Sequence, residues 1–145
     1  MKFTYPQLLV LLQFGLIGAM LLFSNGIASS VSSIITFFLG LSLGLWAIMH
    51  NRLGNFNIQP KMKEGSQLIT TGIYNYIRHP MYSAVIIMMV AVLIVTPTLV
   101  ESLLLIMLMV VLVLKAKREE KIWSQKDEAY KDYIKRSKHF IPFIL

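Results

Sequence analysis

The sequence predicts an all-α integral membrane protein: four transmembrane helices and a C-terminal cytoplasmic amphipathic helix, in a single domain over residues 1–145. Three observations carry this reading. The chain is 56% hydrophobic and only 14% charged, where a soluble domain carries about 25% charged residues. Its apolar residues come in long blocks rather than at core periodicity. All 14 lysines and arginines fall in three regions that four spans place on one side.

The first apolar block gives a span at about 7–23. Lys2 before it and the small residues Gly26-Ile27-Ala28 after it resemble a signal peptide. The blocks that follow need this one to keep their register across the bilayer, so a retained span is expected. The second span covers about 31–49. It contains Gly40-Leu41-Ser42-Leu43-Gly44, a small-xxx-small pattern for close helix packing, within the chain or with a second copy as a homo-oligomer.

The stretch from Met81 to Leu114 is 34 residues, too long for one span of about 20. Thr96-Pro97-Thr98 interrupts it, and proline removes a helical hydrogen bond and biases its predecessor away from helix. Two antiparallel spans are therefore expected, at 81–95 and 99–114. Lys2 precedes span one; Arg52, Lys61, Lys63 and Arg78 lie between spans two and three; the remaining nine basic residues follow Leu114. The loops 24–30 and 96–98 carry none. The positive-inside rule then puts both termini and the 50–80 loop in the cytoplasm, which for a bacterial cell means a plasma-membrane protein.

Beyond Leu114 the chain is highly charged, with Ile122, Trp123, Tyr130, Tyr133 and Ile134 at helical spacing. This predicts an amphipathic helix at about 116–137, with a break near Ser124, where Ser124-Gln125-Lys126-Asp127 resembles a capping box. The apolar tail 140–145 is expected to dock on protein or lipid. The absence of cysteine excludes disulfides and thiolate chemistry. In a membrane protein the net charge of +7 reports topology and anionic membrane lipid rather than nucleic acid.

The chemistry-bearing residues cluster where a polar loop meets the third apolar block. Pro80 suits the first turn of a helix. Arg78 and His79 then sit at its entrance, where free N–H groups and the arginine favour an anion. The hairpin at Pro97 returns Glu119 and Glu120 to the same face, roughly 7 Å further toward water at ~1.5 Å per residue. Tyr74, Tyr76 and Tyr82 add aromatic faces, so the pocket suits a zwitterionic ligand bearing a ring. Each piece also has a plainer reading. Arginine and tyrosine anchor at interfaces, and Glu119-Glu120 can be a solvated charge run. His50 and His139 read as interfacial or solvated, and Glu101 as hydrated near the outer interface. The three histidines lack metal-ligand spacing, so no metal is expected.

The segment Leu68-Ile69-Thr70-Thr71-Gly72-Ile73-Tyr74-Asn75-Tyr76-Ile77-Arg78-His79-Pro80-Met81-Tyr82, followed by a helical hairpin and Glu119-Glu120, resembles the signature of the isoprenylcysteine carboxyl methyltransferase family. That wider group includes the membrane phospholipid N-methyltransferases. Glu128-Ala129-Tyr130-Lys131-Asp132-Tyr133 and Pro142 match its later elements, so the likeness covers about residues 55–145. It implies S-adenosylmethionine as methyl donor in a cytoplasmic pocket and a lipophilic acceptor from the bilayer. It also implies donor contacts from His79, Tyr82, Glu119 and Glu120, with Tyr74 nearby and Arg78 as the catalytic residue positioning donor or acceptor. Ile73, Ser83 and Ala84 depart from the family pattern, and the acceptor stays open. Two other readings compete: an NADPH-dependent membrane sterol or enone reductase, which also carries an arginine-histidine-proline element, and a non-enzymatic membrane scaffold.

Overall fold

The computed structural model describes residues 4–51, 65 and 67–141. Lys2, Arg52, Lys61, Lys63 and the tail from Pro142 lie outside the described residues. The described part is all-helical: α1 (Tyr5–Phe23), α2 (Val31–His50), α3 (Pro80–Val95), α4 (Leu99–Lys126) and α5 (Ala129–Arg136), with short 3₁₀ turns at Ile27–Ser29 and Gly72–Asn75.

Thr4 opens α1, its backbone N–H donating to Gln7 Oε1 at 2.9 Å. The helix buries Pro6, Leu9, Gln13, Leu16 and Met20, a three-and-four-residue stripe that packs on α4. The α2 helix buries Ser33, Gly40 and Ala47 against α3. A Cβ at Gly40 would fall 2.8 Å from Met88 Cγ and 2.9 Å from Ala84 O, and one at Gly44 would fall 3.3 Å from Ala84 Cβ. The small-residue pattern thus serves packing within the chain. Ser33 Oγ donates to Ala91 O at 2.7 Å across the same seam.

Among the described residues three helices, not four, are long and apolar enough to cross a membrane: α1, α2 and α4. The expected third span is the correction. Pro80 starts α3 and Thr96-Pro97 ends it, leaving 16 residues. At about 1.5 Å per residue that is about 24 Å, short of the roughly 30 Å hydrocarbon core. The expected break between a span ending at Leu114 and a helix at 116–137 is also absent. The α4 helix runs 28 residues without interruption, about 42 Å. No glycine or proline lies between Leu99 and Lys126, and the charged residues after Leu114 are good helix formers. The chain breaks at Asp127 instead of Ser124, and Asp127 Oδ1 accepts from Ala129 N at 2.9 Å to start α5.

The main core joins Leu9, Leu16 and Met20 of α1 to Met89 and Val92 of α3 and Leu105, Leu108, Val111 and Leu112 of α4. Outward-facing Leu22, Val31, Met49 and Leu99 are strongly exposed, as expected of an integral multi-pass membrane protein whose outer surface meets lipid. The bundle has two distinct ends. At one, Asn25 N donates to Thr96 Oγ1 at 2.9 Å and Asn25 Nδ2 to Val95 O at 3.2 Å, satisfying the end of α3. At the other, Arg118 lies over the Tyr5 ring at 5.5 Å, and the His50 ring lies where a Cβ on Gly72 (φ +59°) would have to go. Glycine is required at 72 for both reasons. After α5 the chain pairs with the segment before α3: Lys138 N donates to Tyr76 O (2.9 Å), Arg78 N to Lys138 O (2.8 Å) and His79 N to His139 O (3.1 Å).

Candidate active site

The polar end of the bundle gathers the residues that the sequence singled out. Pro80 occupies the first turn of α3 and His79 is its cap residue. This turns Tyr82, two positions into the helix, toward α4. From α4, Glu119 and Glu120 project back. Tyr82 Oη donates to Glu119 Oε1 at 2.5 Å. Glu119 Oε2 lies 3.5 Å from His79 Nδ1, and His79 Nε2 lies 3.1 Å from Glu120 Oε1. His79 therefore bridges the two carboxylates. Burial alone would push its imidazole down, but the hydrogen bonds and charges of both glutamates reverse this and hold it above the ordinary value of 6.5. The ring stacks on Tyr82, with centroids 5.5 Å apart and planes 7° apart.

Arg78, just ahead of α3, turns its side chain toward Glu120 and α5. Its Nε donates to Glu120 Oε1 at 2.6 Å. Its Nη1 donates to Ile134 O at 3.3 Å and to the carbonyl of Ser137. The side chain is 6% exposed. It ties Glu120 to the end of α5 and leaves little surface for a ligand. The helix entrance, expected as an open anion site, is covered by the 138–140 segment, with Ser83 Oγ donating to Phe140 O at 2.6 Å. Tyr74 packs against Ala47, Ile73 and Ile77. Burial, then the Glu119 charge, raises its phenol to about 12, so it is a neutral hydrogen-bonding group. Its carbonyl accepts from Tyr133 Oη at 2.5 Å.

His139, read from sequence as interfacial or solvated, packs into this cluster. Its Nε2 lies 3.2 Å from Glu120 Oε2 and its ring stacks on His79 at 5.6 Å. Burial, followed by the Arg78, His79 and Lys117 charges, outweighs Glu120 and lowers its pKa. A neutral ring that donates from Nε2 leaves Nδ1 as an acceptor, and Nδ1 is buried without a partner among the described residues. No local sequence signal marks His139: it arrives only through the pairing of 138–140 with 76–79. Glu101, expected to be hydrated, is fully buried instead.

His79, Glu120 and His139 could each offer a metal ligand, with ligand atoms within 4.8 Å of one another. Sequence spacing gave no hint of this, because the fold rather than the chain order assembles it. A cation there would have to displace the His79 proton and the Arg78 hydrogen bond. A cleft of about 470 Å³ opens between 67–70 and α4–α5, lined by Gln67, Leu68, Thr70, Trp123, Asp127 and Arg136 among others, with neither Glu119 nor Glu120 in its lining.

A comparison with protein families matches residues 33–125, well over half of the chain, to the isoprenylcysteine carboxyl methyltransferase (ICMT) family. The chain belongs to that family. The comparison with individual curated proteins gives no match. Membership makes this a methyltransferase-family fold using S-adenosylmethionine at the family level. The matched region holds Arg78 to Glu120, whereas α5 and His139 lie beyond it.

The residues present fit such a donor. Glu119 is the more open carboxylate, its side chain 26% exposed, and can receive a cationic group. The orphaned His139 Nδ1 can accept from an N–H.

Proposed function

We propose that this protein is an S-adenosylmethionine-dependent methyltransferase acting on a lipophilic acceptor at the cytoplasmic membrane face. The observation that carries this reading is the network joining His79 and Tyr82, at the start of α3, to Glu119 and Glu120 on α4. Two carboxylates, a cationic imidazole and flat aromatic faces meet where the apolar bundle ends. The donor, when bound, supplies an electrophilic methyl group.

The chain's own residues bind and align. Glu119 receives the donor's ammonium, and His139 Nδ1 and the ring of Tyr82 complete its wall. Arg78 acts as a positioning residue, holding Glu120 against α5. Direct displacement requires alignment and exclusion of water more than a strong base, which suits a site whose titratable groups are already paired. The described basic residues lie at this end, with none at 24–30 or 96–98, and that asymmetry favours the cytoplasmic side. The exposed apolar sides of α1, α2 and α4 suit an acceptor arriving from lipid.

Calorimetry on the detergent-purified protein tests the reading. S-adenosylmethionine is expected to bind, and Glu119→Gln to weaken it at least about tenfold, about 1.4 kcal/mol. Labelled methyl transfer to a panel of lipid and thiol acceptors then identifies the acceptor. Binding of NADPH with none of S-adenosylmethionine would sink the proposal.

A further inference from the structure

The seam between α1 and α4 ends in a cation that the mechanism above does not use. Arg118 is half-buried on α4, and its guanidinium stands over the Tyr5 ring, 5.5 Å from the centroid. Its Nε is buried and has no hydrogen-bond partner among the described residues. Arg78, by contrast, has its Nε on Glu120 and its Nη1 on two carbonyl groups. The neighbouring carboxylates are turned elsewhere: Glu119 to Tyr82 and His79, Glu120 to Arg78, His79 and His139. At about 100° per residue, Glu120 points nearly opposite to Arg118 on the helix. An arginine that served only as an interfacial anchor would keep its charged head in water. This one is held over a ring at the cost of part of its hydration, and no described carboxylate returns a full charge to it.

Depth and surroundings say what would. Arg118 lies four residues past Leu114, the last of the apolar run, about 6 Å along the helix. The polar layer on each side of a hydrocarbon core is about 5–7 Å thick, so the guanidinium is at headgroup depth. Two exposed apolar rows start from the same contact and run toward the other end of the bundle. On α4, Leu114, Val110 and Met107 continue the face of Arg118; on α1, Leu8 and Leu12 continue the face of Tyr5. The two helices pack on each other, so these rows flank one seam with a cation at its head. Lys117 and Lys121, next to Arg118 on the helix surface, are exposed and keep the rim positive. A phosphodiester can take two parallel hydrogen bonds from a guanidinium, and basic sites between membrane helices suit anionic headgroups. A zwitterionic headgroup would bring its own ammonium to these three cations.

We infer that the α1–α4 seam binds an anionic phospholipid, with its phosphate on Arg118 over Tyr5 and an acyl chain along the rows of Leu114 and Leu8. The lipid ties the start of α1 to the charged end of α4. It is a resident of the leaflet and not a methyl acceptor, because its phosphate lies on the side of α4 turned away from Glu120. The inference does not depend on the methyltransferase reading.

Native mass spectrometry of the full-length protein released from detergent tests it. The probes are dioleoylphosphatidylglycerol, dioleoylphosphatidylcholine with the same chains, and glycerophosphoglycerol, the anionic head without chains. Wild type is expected to retain the phosphatidylglycerol about tenfold more tightly than the phosphatidylcholine, and the free head not at all. Arg118→Gln should bring phosphatidylglycerol down to the phosphatidylcholine level. Arg118→Lys should fall between, since an ammonium keeps the charge and loses the fork. Tyr5→Leu should weaken binding severalfold, and these two variants carry the test where Arg118→Gln does not fold. Lys131→Gln removes the same charge from α5 and should leave the affinity within about twofold. An equal loss in Lys131→Gln and Arg118→Gln would mean attraction to net charge alone and overturns the proposal. Equal retention of the two lipids by wild type overturns it as well. Binding of the free head as tight as that of the lipid would assign the seam to a soluble phosphodiester instead.

Discussion

At one end of α4, Glu120 is ringed by Arg78 at 2.6 Å, His79 at 3.1 Å and His139 at 3.2 Å. At the other end, Glu101 is fully buried, and both of its carboxylate oxygens lack partners among the described residues. Both are glutamates on one helix, 19 positions apart. Glu120 faces two segments rich in donors, 76–79 and 137–140, which arrive together because they pair through their backbones. Glu101 lies in the first turn of α4, where Thr98 Oγ1 already accepts from its own backbone N–H. A carboxylate with three partners holds distant segments together, whereas one with none contributes only what the helix dipole returns to it. Function is expected at the first end because its charges are both numerous and mutually satisfied.

The largest effect that would break this comparison is Glu120→Gln. It removes the charge facing Arg78 and His79 while keeping the shape. Breaking a buried ion pair by removing one partner costs about 3–5 kcal/mol, so denaturation in detergent should show a loss of about 3 kcal/mol. A loss below about 1 kcal/mol would mean that the network does not hold the C-terminal segment.

A pH series gives an intermediate effect, with a sign that can be worked out. His79 has a folded pKa above its ordinary 6.5, so its stabilisation is complete below 6.5 and is lost as pH rises through the higher folded value. His139 has a lowered folded pKa. Its neutral form is favoured in the folded protein, and stability falls as pH drops from 6.5 through that lower value. Stability is therefore expected to peak near the ordinary histidine range. His79→Gln should flatten the alkaline limb and His139→Gln the acidic limb. Thermal unfolding between pH 5 and 9 checks both, and limbs that persist in the respective variants would remove the assignment.

The smallest effect is expected at the other end. Glu101→Gln should change stability by no more than about 1 kcal/mol, since it exchanges an unpartnered group for another at a helix start. A loss matching that of Glu120→Gln would mean that Glu101 has a partner role of its own.

Much of this was legible from residues alone. Pro80 and Pro97 mark the two ends of α3, because proline acts locally on the helix. The register of the hairpin followed, and with it the meeting of Glu119 and Glu120 with His79 and Tyr82. The number of spans was misjudged because a segment whose ends were legible was counted as a span although its 16 residues, about 24 Å, fall short of the roughly 30 Å hydrocarbon core. The helix break at Ser124 failed because a capping pattern competes poorly with an uninterrupted run of helix formers. Gly40 and Gly44 announced close packing, but only the structure shows α3 as the neighbour.

The sequence by itself determined what depends on neighbours in the chain: helical apolar blocks, their caps, one basic end, and the family that the motif resembles. Tertiary structure decided what depends on residues far apart. It turned Arg78 onto the carbonyl groups of α5, brought His139 beside Glu120, and set Lys115 against Gln13. The physical reason is that helix periodicity and capping act over three or four residues, whereas a buried charge is satisfied by whatever donor or acceptor the packing of distant segments brings within about 3 Å.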